Sequence, residues 1–238
     1  MMDRPDRSNR TDPPGPPTGK LTAGVLTNLA RPALLAATLR SLARSGLPPL
    51  HLHVDGAGRG HAQAYLDALC RLAEAGRNAC PGGWILLCED DIAVPAGFRG
   101  YLGPLCAALR AHRGRLGFAS LYCSVGYRDW VAAHPVGDAL PFGRLIANDG
   151  YAGTQCILFP AESPATLLPA MRRCRAAQPD WNGDRLLGRA AELTGLEAWC
   201  HAAPSPVDHR GRAESTLDSR ADNLAMIAAD YVGDAWGE

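Results

Sequence analysis

The stretch from Trp84 to Val94, W-I-L-L-C-E-D-D-I-A-V, constrains this chain more than any other. Its apolar run, Trp84 to Cys88, is bracketed by Pro81-Gly82-Gly83 before it and Pro95 after it. A run this short between turn residues suits a strand buried on both faces, as in the interior of a parallel sheet. Three carboxylates follow without a break: Glu89, Asp90 and Asp91. Like charges this close repel one another, and the end of a sheet gives some of them little water. A cation is therefore expected among them, and hard divalent ions take oxygen ligands. A solvated acidic turn is the alternative on ordinary surface statistics. Open α/β sheets bind ligands at the carboxyl ends of their strands, which favours the functional reading.

Around that strand the chain alternates strand and helix. Leu21 to Thr27 reads as a first strand and Asn28 to Arg31 as a loop. Pro32 suits the first turn of a helix running to about Arg44, with Leu34, Leu35, Leu39 and Leu42 on its apolar face. Leu50 to Val54 is a second strand and Gln63 to Ala75 a second helix. The order strand–helix–strand–helix–strand predicts half of a doubly wound sheet. Beyond the acids, Phe98 to His112 is predicted helical and Leu116 to Cys123 a strand. Residues 124–150 read as irregular, and a loop of that length is usually functional or mobile. Gly153 to Phe159 returns to strand. Helices are predicted over Pro164 to Arg175 and Gly183 to Thr194, and a short strand over Glu197 to Cys200. A polar loop, Pro204 to Ser215, then leads to a last helix from about Leu217.

Composition excludes some classes. With 24 basic and 24 acidic residues the formal net charge is zero, which argues against a general nucleic-acid binder. No apolar run reaches the length of a membrane span, and the N-terminus lacks a signal peptide's apolar core. The eight cysteines are scattered without C-x-x-C spacing, and several sit inside apolar runs as small buried hydrophobes. A cytoplasmic protein with reduced thiols is the expectation. Met1 to Lys20 has almost nothing to bury and reads as a disordered tail.

Other motifs carry less. Gly56-Ala57-Gly58-Arg59-Gly60 follows a strand, but the third glycine of a dinucleotide fingerprint would fall on His61. Asp55, at the strand end, could accept from a base or ribose group, or simply form an Asp-Gly turn. No credible phosphate loop supports a nucleoside triphosphatase. Asp180 and Asp184 flank a predicted helix start, where either could cap the helix. They are also the best remaining sources of a general base, Asp184 first and Asp180 second. His209 lies in a polar loop beside Arg210 and Arg212, where it could supply a metal nitrogen and the arginines could face phosphate oxygens.

Together, a first strand ending Thr27-Asn28, an Arg31-Pro32-led helix, Val54-Asp55-Gly56, Glu89-Asp90-Asp91 and Pro206-Val207-Asp208-His209-Arg210-Gly211 resemble a glycosyltransferase of the GT-A fold. The resemblance spans roughly Leu21 to Ser215. It implies a Rossmann-related, mixed but mainly parallel sheet with helices on both faces. The domain would run over residues 21–238, with a nucleotide-binding half to about 123 and an acceptor-side half beyond. It further implies a nucleotide-diphosphate sugar donor, an acceptor, and a Mn²⁺ or Mg²⁺ ion held by Glu89, Asp91 and His209. Thr27, Asn28, Arg31, Asp55, Asp90, Arg210 and Arg212 would contact the donor. Gly153, Thr154 and Gln155 would face the acceptor. Asp184 would match the base of inverting members. The competing expectations are a non-catalytic nucleotide- or partner-binding module of the same fold and a nucleotidyltransferase. The latter would want glycines after the first strand, and Asn28-Leu29-Ala30-Arg31 has none.

Overall fold

The computed structural model describes residues 20–56, 58–79, 82–137, 139–145, 153–210, 227–231 and 233. In chain order the elements are β1 (Leu21–Thr27), α1 (Pro32–Arg44), β2 (Leu50–Val54), α2 (His61–Ala79), β3 (Trp84–Glu89), β4 (Ile92–Ala93) and α3 (Phe98–Leu109). There follow β5 (Leu116–Ser120), α4 (Arg128–Ala133), β6 (Phe142–Leu145), β7 (Cys156–Pro160), α5 (Ser163–Ala177), α6 (Gly183–Thr194), β8 (Glu197–His201) and β9 (Asp208–His209). Seven strands form one sheet in the order β2-β1-β3-β7-β5-β8-β6. Pairings are parallel for β2–β1, β1–β3 and β5–β8, and antiparallel wherever β7 or β6 takes part. Five strands therefore share one direction, and β7 and β6 oppose it.

β3 is buried on both sides, and its alternation assigns the two faces. Ile85 and Leu87 pack into a core shared with α2, α5 and α6. Trp84, Leu86 and Cys88 pack into a second core with α1 and α3. The result is a three-layer α/β/α, Rossmann-like arrangement in which each fully buried leucine or isoleucine contributes about 1.5–3 kcal/mol. Continuous apolar runs in β3 and β7 follow from burial on both faces.

The predicted elements stand at close to their expected places, with differences that have local causes. α2 begins at His61 and extends to Ala79, beyond the expected Gln63 to Ala75. The stretch read as irregular contains α4 and β6, and β6 edges the sheet by pairing with β8. Both are short, and β6 has too few residues for its alternation to stand out. β5 stops at Ser120, short of the expected Cys123, and β7 starts at Cys156 rather than Gly153. α6 starts at Gly183 as predicted and ends at Gly195, whose φ of 70° lets its N–H reach the Ala191 and Glu192 carbonyls. The tail, apart from Lys20, and the helix expected from Leu217 lie outside the described residues. The seven described cysteines are free, and among the described residues no helix is long and apolar enough to cross a membrane.

A second sheet of two strands matters most for function. β4, just past the acids, pairs antiparallel with β9, with Ile92 opposite His209 and Ala93 opposite Asp208. Two hydroxyls on the buried side of α1 hold the β4 segment down. Thr38 shares its hydroxyl proton between the carbonyls of Asp90 (3.0 Å) and Ile92 (2.8 Å). Ser41 donates to the Val94 carbonyl and accepts from the Val94 N–H, both at 2.9 Å. Polar residues on an apolar helix face are explained by this docking, because the turn's carbonyls need donors once buried.

One buried histidine predicts an acid sensitivity. Tyr101 and His201 Nε2 are hydrogen-bonded, and Nδ1–H of the ring donates to the Ala202 carbonyl, which fixes a neutral tautomer. Burial pushes the ring's pKa down to about 4. Unfolded, it titrates near 6.5. The unfolded chain binds the extra proton between those values, so stability is full above about 6.5 and is lost as pH falls toward 4. The loss from this ring reaches about 2 kcal/mol at pH 5. Urea midpoints at pH 7 and pH 5 are expected to differ less in His201→Gln than in the wild type; equal differences would acquit the ring.

Candidate functional site

The carboxyl ends of β1 and β3 lie side by side, and the acids after β3 divide between two environments. Asp90 and Asp91 meet the loop between β1 and α1. Thr27 Oγ1 donates to Asp90 Oδ2 at 2.5 Å. Arg31 spans both acids, with Nη2 2.5 Å from Asp90 Oδ1 and Nη1 2.6 Å from Asp91 Oδ2. The cation that the acid cluster demanded is thus present within the chain. Its guanidinium pKa is driven upward: burial alone would lower it, and Asp91 followed by Asp90 more than offsets that. Burial raises the Asp90 carboxyl despite Thr27 and Arg31. Asp91 is also buried, which raises its carboxyl, but His209 and then Arg31 carry it below the usual range. In the loop itself, Asn28 Oδ1 accepts from the Ala30 N–H at 2.9 Å. Leu29 adopts a φ of 60° with its side chain 52% exposed, a conformation that leucine takes only at a cost of about 1–2 kcal/mol.

His209 arrives at Asp91 through the β4–β9 pairing. Its Nε2 lies 3.2 Å from Asp91 Oδ2, and the Arg210 N–H donates to the Asp91 carbonyl at 2.6 Å. Tyr122 packs edge-on against the imidazole and fixes its plane. Asp91 Oδ1 is buried with no hydrogen-bond partner among the described residues. Ligand atoms about 2.1 Å from one ion, at right angles to each other, stand about 3 Å apart. The Asp91–His209 spacing and the unused Oδ1 therefore fit a divalent cation, with Arg31 addressing the same carboxylate.

Glu89 faces the other way, toward α2 and α6. Its Oε1 lies 3.2 Å from His61 Nε2 and accepts from Thr154 Oγ1 at 2.6 Å. Thr154 Oγ1 also touches Asp184 Oδ1, and Asp184 Oδ2 accepts from the Gly153 N–H at 3.3 Å. One hydroxyl has one proton, so Thr154 either shares it between the two acids or meets one of them protonated. Burial raises the Asp184 carboxyl above the usual range, His61 lowers it and Glu89 raises it further. Glycine at position 183 lets α6 approach: a Cβ there would lie 2.9 Å from His61 Cε1.

His61, Glu89 and Asp184 place ligand atoms within 4.8 Å of one another. Without an ion these groups are joined by hydrogen bonds. The Gly183 N–H points at His61 Nδ1 at 3.2 Å, so the neutral ring carries its proton on Nε2, toward Glu89. Burial lowers the pKa of this ring, but the hydrogen bond and charge of Glu89, then Asp184 and Asp91, carry it to about 9. An ion bound there would have to displace the Nε2 proton, as an ion at His209 would displace any proton that ring shares with Asp91.

The other expected residues fall as follows. Asp55 is buried at the end of β2, accepts from the Arg59 N–H at 3.4 Å, and borders a shallow cavity with His53, Arg59 and Arg71. Gln155 is buried, and its backbone carbonyl accepts from the Glu89 N–H at 2.9 Å. Neither aspartate caps α6. Asn182 does, accepting from the Arg185 N–H at 3.1 Å, while Asp184 turns inward and Asp180 stays exposed in the turn before the helix. The Arg210 side chain is exposed, and Arg212 lies outside the described residues. Sequence reasoning passed over His61, noticing it only as a misplaced glycine. A histidine opening a helix after a glycine-rich turn at a strand end was the available signal. No protein-family model matches the chain, and no curated protein matches it.

Proposed function

We propose that the protein is a metal-dependent glycosyltransferase of GT-A type, moving a sugar from a nucleotide-diphosphate donor to an acceptor hydroxyl with inversion. The observation that carries this reading is the approach of His209 to Asp91 at 3.2 Å from a distant part of the chain. A sheet with five strands in one direction, and acids at the ends of β2 and β3, lends support. So does the inward turn of Asp184, a carboxylate not spent on capping its helix.

On this reading the donor lies across the ends of β1, β2 and β3. Asp55 accepts from the base or ribose, and Arg31 faces the phosphates. Asp91 and His209 would hold the divalent ion, whose charge would offset that building on the departing diphosphate. Asp184 takes the proton of the acceptor hydroxyl on the opposite side of the sugar from the leaving group. Thr154 and the Gly153 N–H hold that carboxylate in place.

Calorimetric binding of UDP and GDP, with and without Mn²⁺, tests the reading. At least one nucleotide is expected to bind, and more tightly with Mn²⁺. No binding in any condition would end the proposal. Nucleotide binding with no hydrolysis or transfer across a panel of nucleotide sugars would leave a non-catalytic binding module instead.

A further inference from the structure

We infer that Arg31 is a tethered counter-ion that competes with the divalent cation for Asp91, so that nucleotide and metal load this site cooperatively through Arg31. The inference rests on the proposed transferase site. Its geometry is specific. Arg31 Nη1 lies 2.6 Å from Asp91 Oδ2, the same oxygen that faces His209 Nε2 at 3.2 Å. A doubly charged ion bound between that oxygen and His209 would take the lone pairs the guanidinium now uses, and would stand a few ångströms from a positive charge. Cation entry therefore requires Nη1 to leave Asp91.

The arginine is built to leave. Its backbone is held at φ −123°, ψ 62° just ahead of Pro32, where the following ring restricts it, so only the side chain can move. The side chain is 14% exposed, whereas those of Asp90 and Asp91 are 3% and 4%. Arg31 Nε is buried with no hydrogen-bond partner among the described residues, so the present pose leaves one donor unsatisfied. Nη2 on Asp90 Oδ1 at 2.5 Å is an independent tether that can persist while Nη1 moves.

Each ligand then faces a cost that the other removes. A cation arriving alone must break the Arg31–Asp91 pair without giving the guanidinium a new anion. A diphosphate arriving alone meets an arginine already engaged. Arriving together, the cation takes Asp91 and the diphosphate takes Arg31, a planar donor suited to phosphate oxygens. Coupling of this kind is reciprocal: nucleotide must tighten metal binding by the same factor that metal tightens nucleotide binding.

The test titrates Mn²⁺, by the electron paramagnetic resonance signal of the free ion and by calorimetry, into wild type, Arg31→Met and Arg31→Lys, with and without the nucleotide that the wild type binds. Without nucleotide, Arg31→Met is expected to bind Mn²⁺ at least about tenfold more tightly than wild type, which is ~1.4 kcal/mol. Its nucleotide–metal coupling should also fall at least about threefold, the remainder reporting direct metal–phosphate contact. Arg31→Lys should lie between, since an ammonium reaches the acids only as a point charge. It carries the test if Arg31→Met does not fold. Mn²⁺ affinities equal to wild type in the folded variants would overturn the inference while leaving the transferase reading intact. Wild type that binds neither Mn²⁺ nor nucleotide would overturn the transferase reading itself.

Discussion

Asp91→Asn is expected to abolish Mn²⁺-dependent nucleotide binding and to lower donor turnover by about 10²–10³-fold, the range seen when one stabiliser of developing charge is lost. The substitution keeps size and shape but removes the charge that Arg31 and His209 share. A neutral amide is a poor ligand for a hard divalent ion. Stability should fall modestly, because Arg31 keeps its second partner, Asp90, and is not left uncompensated. Calorimetric Mn²⁺ and nucleotide titrations, with a thermal melt to confirm folding, check the prediction. Undiminished metal binding would shift the ion to His61, Glu89 and Asp184.

Asp184→Asn is expected to lower transfer by about 10²–10⁴-fold, the usual contribution of a general base, while nucleotide affinity stays within about twofold. The variant should also fold, for a reason visible in the hydrogen bonds. An asparagine oxygen can accept from the Gly153 N–H, and its amide can donate to Thr154 Oγ1, leaving the Thr154 proton for Glu89. The buried setting of Asp184 therefore tolerates a neutral side chain. It also predicts a pH profile. Burial raises the Asp184 carboxyl, so its base form accumulates only as pH rises through a value above the usual carboxylate range, and transfer should climb with it. Single-turnover transfer across pH, beside nucleotide titrations, makes the measurement. Transfer retained in Asp184→Asn would dismiss this residue as the base.

Much of the frame was legible along the chain. β3 and its acids, α1 opening at Pro32, and α6 opening at Gly183 follow from apolar period, turn residues and the fixed φ of proline. The short strands were not. β4 and β9 have two residues each, too few for any period, and exist because they pair with one another. β6 was hidden in the same way, its order supplied by pairing with β8, and the six-residue α4 packs against β6. At the site, Asp91 and His209 could be nominated from residue type and position. Whether they meet depended on β9 reaching β4.

The sequence by itself determined which carboxylates crowd the end of a buried strand, and that such a cluster must find positive charge. That follows from residue type and local burial. Only the tertiary structure decided where the charge comes from. Arg31 lies at the head of another element, and the β1–β3 pairing brings it between Asp90 and Asp91. The same holds for Glu89, which β3 places on the side of Ile85 and Leu87 toward His61 and Thr154, while the turn that follows carries Asp90 and Asp91 to Arg31. Such contacts join residues far apart in the chain, and their distances are set by strand order and helix packing, which no local pattern encodes.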